Sequence, residues 1–114
     1  MIYTSYFSSK KFNEKDGVAI TLGGNFWKGE VYKELAPTPQ ILNWWKKEGR
    51  NNPKGELIYE ALYRRDVLSK LDVSEVAKKL DGKVLLCFEK SSDFCHRHIV
   101  SKWLNASGYK CEEL

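Results

Sequence analysis

The sequence has little of what marks a secreted, membrane-bound or disordered protein. Its three cysteines are an odd number, which does not fit the paired framework of a small disulfide-rich domain, so we expect reduced thiols. No apolar run has the length of a membrane span, and the first residues lack the basic and apolar regions of a signal peptide. No low-complexity or single-sign stretch indicates a disordered tail. These absences predict a cytoplasmic protein without a membrane partner.

What is present is the composition of an ordinary globular domain. With 42% hydrophobic and 30% charged residues, a chain of 114 residues is long enough for one core and too short for two. We therefore expect a single domain over residues 1–114. The net charge of +4 favours an anionic partner, but the basic residues are not concentrated in one run, so charge alone does not indicate nucleic acid.

Short apolar segments alternate with amphipathic patterns along the chain. Strands are predicted at residues 2–7, 17–22, 83–88 and 109–113, and an irregular loop at 25–37. Helices are predicted from the N-cap Thr38 to Gly49, over 56–69, from Asp72 to Gly82, and from 91–93 to about 105. The apolar run 83–88 is typical of a central strand, and the last third of the chain forms a βαβ unit. The pattern predicts a three-layer α/β domain with a small, mainly parallel sheet.

Most of the reactive residue types follow the strand predicted at residues 83–88. In open parallel sheets, ligands bind outside the carboxyl ends of the strands, where helix N-termini present free N–H groups. At about 100° per residue, His96 falls on the buried face of the following helix, whereas His98 is predicted to point to solvent. The first of the two histidines is therefore the candidate for chemistry.

The segment LLCFEKSSDFCHRHIVSKWL, residues 85–104, resembles the C-terminal motif of the domain of unknown function 488 family. The opening residues 2–7, the helix entry at 35–38, and Tyr59 and Tyr63 resemble a short, single-domain branch of that family from bacteria and phages. Many members carry an Asp and an Arg at the end of the second strand, where this chain has Thr-Leu-Gly-Gly at 21–24. The resemblance implies a fold and a site location, and it implies no particular activity.

Four residues are candidate catalytic groups: Glu89, Cys95, His96 and Arg97. A thiol at a helix N-terminus beside a histidine and an arginine is a candidate nucleophile. Adjacent helical side chains project about 100° apart, however, so a direct Cys–His hydrogen bond requires a distorted first turn, and a small packing cysteine is the alternative. Glu89 is a candidate general base, with an ion pair to Arg97 as its structural alternative.

The candidate ligand-binding residues are Thr4, Tyr6, Ser91, Ser92 and Arg65. The arginine falls within the apolar pattern of its helix, so its head group either extends to solvent or reaches an acidic partner or an anionic ligand. The spacing of the cysteines and His96 is not that of a zinc knuckle, and a structural site needs four ligands, so we expect no metal. No dinucleotide or P-loop motif is present, so no cofactor is predicted.

Two functions remain open. The first is a small enzyme that binds a polar or anionic molecule, such as a nucleotide or modified base, and catalyses hydrolysis or group transfer. The second is a non-catalytic module that binds nucleic acid or a protein through a basic aromatic surface around residues 26–28 and 44–50. An enzyme requires the candidate catalytic side chains to converge on an open cavity. The sequence leaves the oligomeric state open.

Overall fold

A computed structural model describes residues 1–23, 26–90 and 93–114. Within these ranges the strands are β1 (Ile2–Tyr6), β2 (Gly17–Ala19), β3 (Glu30–Val31), β4 (Val84–Cys87) and β5 (Cys111–Glu113). The α-helices are α1 (Pro39–Lys47), α2 (Gly55–Asp66), α3 (Val73–Leu80) and α4 (His96–Ala106). The strands form one sheet in the order β3-β2-β4-β1-β5, and all of the neighbouring pairs are parallel. The predicted α/β class with a parallel sheet is confirmed.

Two of the predicted helix starts have the expected capping bonds. The hydroxyl of Thr38 accepts a hydrogen bond from the backbone N–H of Ile41 at 3.2 Å, and a proline opens α1. The carboxylate of Asp72 accepts from the N–H of Ser74 at 2.9 Å at the start of α3. Gly82 follows this helix with a φ of +81°, a conformation that favours glycine. Local sequence signals therefore place both helices.

The second predicted strand is shorter than expected, and the predicted loop at 25–37 contains structure. Val18 and Ala19 pair with Glu30 and Val31 of the short strand β3. A single 3₁₀ turn follows at Lys33–Leu35. Because these elements are held by pairing across the sheet rather than by local pattern, the sequence alone did not predict them.

The helical spacing of Leu57, Ile58, Ala61, Leu62 and Leu68 predicts the buried face of this helix, but α2 buries a different face. Leu57 and Ile58 are 72% and 37% exposed, whereas Tyr59 and Tyr63 are buried. The hydroxyl of Tyr63 donates to the backbone carbonyl of Leu35 at 2.5 Å, which satisfies its polar end inside the core. The helix therefore turns its tyrosines inward and leaves two aliphatic side chains on its surface.

The central strand β4 brings the candidate site to one edge of the sheet. All four of its residues are buried, and it lies between β2 and β1. Tyr6 at the end of β1 is level with Cys87 at the end of β4, so the segments that follow these strands meet at the same edge. No helix of the described residues has both the length and the apolar character needed to cross a membrane.

Candidate active site

Cys95 occupies the N-cap position of α4 and is not part of its first turn. Its backbone is extended, with φ −156° and ψ 148°, and the helix begins at His96. The Cys95 sulfur lies 3.7 Å from Nδ1 of His96. The obstacle expected for adjacent helical residues does not apply, because the backbone changes direction between the two residues.

The imidazole of His96 is buried and oriented by the main chain. Its Nε2 donates to the carbonyl oxygen of Ile20, just beyond β2, at 2.6 Å. Since a carbonyl oxygen only accepts, this bond places a proton on Nε2 and leaves Nδ1 for the contact with the Cys95 sulfur. Nδ1 lies 3.7 Å from the sulfur of Cys95 and 3.8 Å from that of Cys87. The ring can therefore take a proton from a thiol or donate one to a thiolate.

The surroundings of Cys95 favour its thiolate form. Burial opposes ionisation, but hydrogen bonds from Cys87 and His96, the charge of that histidine and the backbone N–H of Arg97 lower the pKa of Cys95 to about 3. Burial, together with its hydrogen bond to Cys95, raises the pKa of Cys87 well above the usual value for a thiol. One sulfur therefore carries the charge, and the other donates a hydrogen bond to it.

Glu89 provides a carboxyl group on the same side of the site. It lies two residues after the end of β4, lines the same cleft as Cys95 and His96, and is solvent-accessible at its mouth. Partial burial of its carboxyl and the negative charge on Cys95 raise the pKa of Glu89. A carboxyl group in this setting holds its proton more tightly than a free one, which suits a proton donor.

Arg97 is fully buried and makes structural contacts. Its Nε and Nη2 donate to the two carboxylate oxygens of Glu113 at 3.1 and 2.9 Å, and its Nη1 donates to the backbone carbonyl of Glu89 at 2.7 Å. The hydroxyl of Thr4 donates to the same carboxylate at 2.6 Å. The predicted ion pair between Glu89 and Arg97 is therefore wrong in its acidic partner, and the guanidinium is not free to bind an anion.

A cleft of about 230 Å³ opens beside the Cys–His pair. Cys95, His96 and Glu89 line it together with several aromatic and apolar side chains. The ring of Phe94 lies 5.0 Å from the rings of both Trp45 and Tyr59. The remaining lining residues are Thr21, Leu22, Gly23, Pro37, Leu42, Lys46 and Phe88. A cleft with aromatic walls and a few polar groups suits a flat ring with polar edges.

A match to a family model identifies the family of the chain. The model of the DUF488-N3a family, described as the active DUF488-N3 subclade, matches residues 8–108. The chain belongs to the DUF488-N3a family. The predicted resemblance to the domain of unknown function 488 family is confirmed, and the matched range includes the whole candidate site from β4 to α4. No curated protein and no solved structure matches the chain.

Three of the predicted ligand-binding residues of this DUF488-N3a protein, Thr4, Tyr6 and Arg65, do not line the cleft. Thr4 is buried against Glu113, and Tyr6 is half-buried and does not line the cleft. Arg65 is exposed on α2 and bonds to the adjacent Asp66 at 2.7 Å, so its predicted ligand role has no support from its position. Ser91 and Ser92 lie outside the described residues.

Three groups of residues at the site were not predicted. Trp45, Tyr59 and Phe94 form the aromatic wall. Glu113 is the ion-pair partner of the buried Arg97. Its inward position could have been predicted, because residues two apart in a strand face the same side of a sheet and Cys111 is buried. His98 does not point to solvent as predicted, since it is half-buried and lines a neighbouring cavity.

The sulfurs of the two cysteines and the imidazole of His96 at the Cys–His pair are the donor types that Zn²⁺ prefers. Ligand atoms of Cys87, Cys95 and His96 all lie within 4.8 Å of one another. Within the described part of the chain this group offers three such atoms, one fewer than a structural zinc site takes.

Proposed function

We propose that this protein is a cysteine-dependent enzyme that uses Cys95 as its nucleophile and His96 as the group that orients and stabilises the thiolate, and that it catalyses hydrolysis or group transfer. The observation that supports this most is the contact between the Cys95 sulfur and Nδ1 of a histidine whose Nε2 is bonded to a carbonyl. The pair opens on a cleft large enough for a small organic ring.

The chemistry is a two-step displacement. The Cys95 thiolate donates an electron pair to an electrophilic carbon of the substrate and forms a carbon–sulfur bond. The leaving group departs with the electrons of the broken bond and takes a proton from the carboxyl of Glu89. Water then gives its proton to the Glu89 carboxylate, and its oxygen displaces the sulfur, which restores the thiolate. When another acceptor takes the place of water in the second step, the same two steps transfer the substrate group to that acceptor.

The walls of the cleft favour a substrate with a planar heterocycle, such as a nucleobase. Trp45, Tyr59 and Phe94 provide ring faces and edges, on which a flat π-system packs well. Glu89 and the Cys–His pair provide polar groups for the edge of that ring. Arg97 is already bonded to Glu113, so recognition of charge must come from other residues.

Alkylation of the folded protein tests the nucleophile. Iodoacetamide near neutral pH, followed by peptide mass spectrometry, should modify Cys95 at least about tenfold faster than Cys87 or Cys111. His96→Gln should slow modification of Cys95, and Cys111→Ser should leave it unchanged. Labelling of Cys95 only after unfolding would exclude a thiol mechanism and leave a binding module.

Labelling with and without a chelator, together with an elemental analysis of the purified protein, distinguishes a free Cys95 thiolate from one that is bound to zinc. We expect no stoichiometric zinc in the purified protein and the same Cys95 labelling rate with and without chelator. Protection of Cys95 by one equivalent of zinc, released by a chelator, would replace the nucleophile with a metal centre.

A further inference from the structure

A second, larger cavity lies directly beside the cleft. Its volume is about 590 Å³, and Trp45 and Phe94 line both spaces. These two rings, 5.0 Å apart, form a common wall. Because the cleft and the second cavity share these two rings, they are neighbouring sites on the surface of the protein.

The second cavity, which we call the basic cavity, carries unpaired positive charge. Arg50, Lys54 and Lys102 line it together with the acidic residues Glu56 and Glu60. One carboxylate oxygen of Glu60 already accepts from Nζ of Lys102 at 2.8 Å, and the other accepts from Nε of Arg64 at 3.0 Å. No ion pair of Arg50 or Lys54 occurs within residues 1–23, 26–90 and 93–114. Arg50, Lys54 and Glu56 are thus the lining charges without an ion pair in the described residues, and together they give a net charge of +1 towards an anionic ligand.

His98 adds a polar group without a partner. It lines the basic cavity from α4, and its Nε2 is buried with no hydrogen-bond partner among the described residues. An unsatisfied buried nitrogen destabilises the folded state, so such a group is usually paired. A turn of the imidazole ring would bring this nitrogen to an oxygen of a ligand in the cavity. The helical pattern of the sequence predicts a solvent-exposed position for this side chain, which the structure does not show.

We infer that the basic cavity binds a phosphate group of the same substrate whose ring lies in the cleft, which makes the substrate a nucleotide. The inference rests on the proposed function, since it takes the cleft as the site of the ring. Arg50 and Lys54 neutralise the phosphate, and the histidine on α4 bonds to one of its oxygens. The phosphate belongs either to a free mononucleotide or to a single-stranded nucleic acid.

Calorimetric titration with matched ligands tests the inference. The probes are the four common ribonucleosides and their 5′-monophosphates, added to the full chain. For at least one base, the monophosphate should bind about tenfold more tightly than the nucleoside, because two charge-assisted contacts are gained. The double variant Arg50→Gln/Lys54→Gln should remove that difference and leave nucleoside affinity unchanged. Lys78→Gln/Lys79→Gln, on the exposed surface of α3, is the matched control and should bind like the wild type.

Equal binding of every nucleoside and its monophosphate, or no binding of either, would overturn the inference. So would a double variant with wild-type affinity for the monophosphate. An oligonucleotide that binds more tightly than any mononucleotide, and weakens in the double variant, supports a strand as the source of the phosphate. The labelling of Cys95 should be unchanged in the double variant, so a failure of the phosphate site is distinguishable from a failure of the nucleophile.

Discussion

At the scale of single residues, the conformation of one N-cap decides the chemistry. Helical geometry separates the side chains of Cys95 and His96, and only the extended backbone of the cysteine brings its sulfur to Nδ1. The sequence shows which residues are present at the site. It does not show this change of backbone direction, which depends on the packing of the imidazole against the carbonyl of Ile20.

The pH dependence of Cys95 alkylation is a prediction at this scale. A thiolate with a pKa of about 3 is fully ionised throughout the neutral range, so its labelling rate should stay nearly constant between about pH 5 and pH 8. His96→Gln removes one hydrogen bond and one charge that favour the thiolate, so the pKa of Cys95 rises. The rate should then increase with pH towards the ~8.5 of a free thiol.

Iodoacetamide labelling at a series of pH values, with Cys111 as the internal control, measures this profile. The control thiol should react faster at higher pH in both proteins, because burial raises its pKa. A wild-type Cys95 rate that rises tenfold per pH unit through neutrality would contradict the prediction.

At the scale of elements, the position of α2 depends on a close approach of two glycines. A Cβ added to Gly55, the first residue of α2, would lie on the carbonyl oxygen of Gly49, which directly follows Glu48 after α1. The 3₁₀ turn Gly49–Asn51 and the start of α2 therefore approach through backbone atoms. The apolar spacing of residues 56–69 contains no information about this contact, which explains why the predicted helix was correct and its buried face was not.

Gly55→Ala tests this contact. Alanine normally stabilises a helix by about 0.5–1 kcal/mol relative to glycine, but the clash with a backbone oxygen should outweigh that gain. We expect a net loss of about 2 kcal/mol in the free energy of unfolding, measured by urea denaturation. Gly23→Ala is the control, because the nearest atom to its added Cβ is in the ring of Phe88, 4.0 Å away. Equal midpoints for the two variants would refute a packed Gly49–Gly55 contact.

At the scale of the whole molecule, one buried arginine joins four segments. Arg97 of α4 is bonded to Glu113 of β5 and to the backbone after β4, and Thr4 of β1 bonds to the same carboxylate. A buried guanidinium is stable only when its donors are paired, so this network has to be complete. It places the start of α4, and with it the Cys–His pair, against the sheet.

Arg97→Met is expected to lower the free energy of unfolding by about 3 kcal/mol, because it leaves the Glu113 carboxylate without its main partner. Lys102→Met on the same helix is the control. Its ion pair with Glu60 is largely exposed, so its loss should cost less than about 1 kcal/mol. Chemical denaturation of both variants compares the two, and an equal loss of stability would show that burial of the arginine pair is unimportant.

By itself, the sequence determined the α/β class, the starts of α1 and α3, the central position of β4 and the segment that carries the candidate site, because these follow from local periodicity, capping residues and an apolar run. Only the tertiary structure decided which side of α2 is buried, that Arg97 pairs with Glu113, and that Thr4 supports this pair while Arg65 stays at the surface. Each of these depends on a partner far away in the chain. The sequence pattern states where a side chain points along its own element, but the partner that it meets is set by how the elements pack.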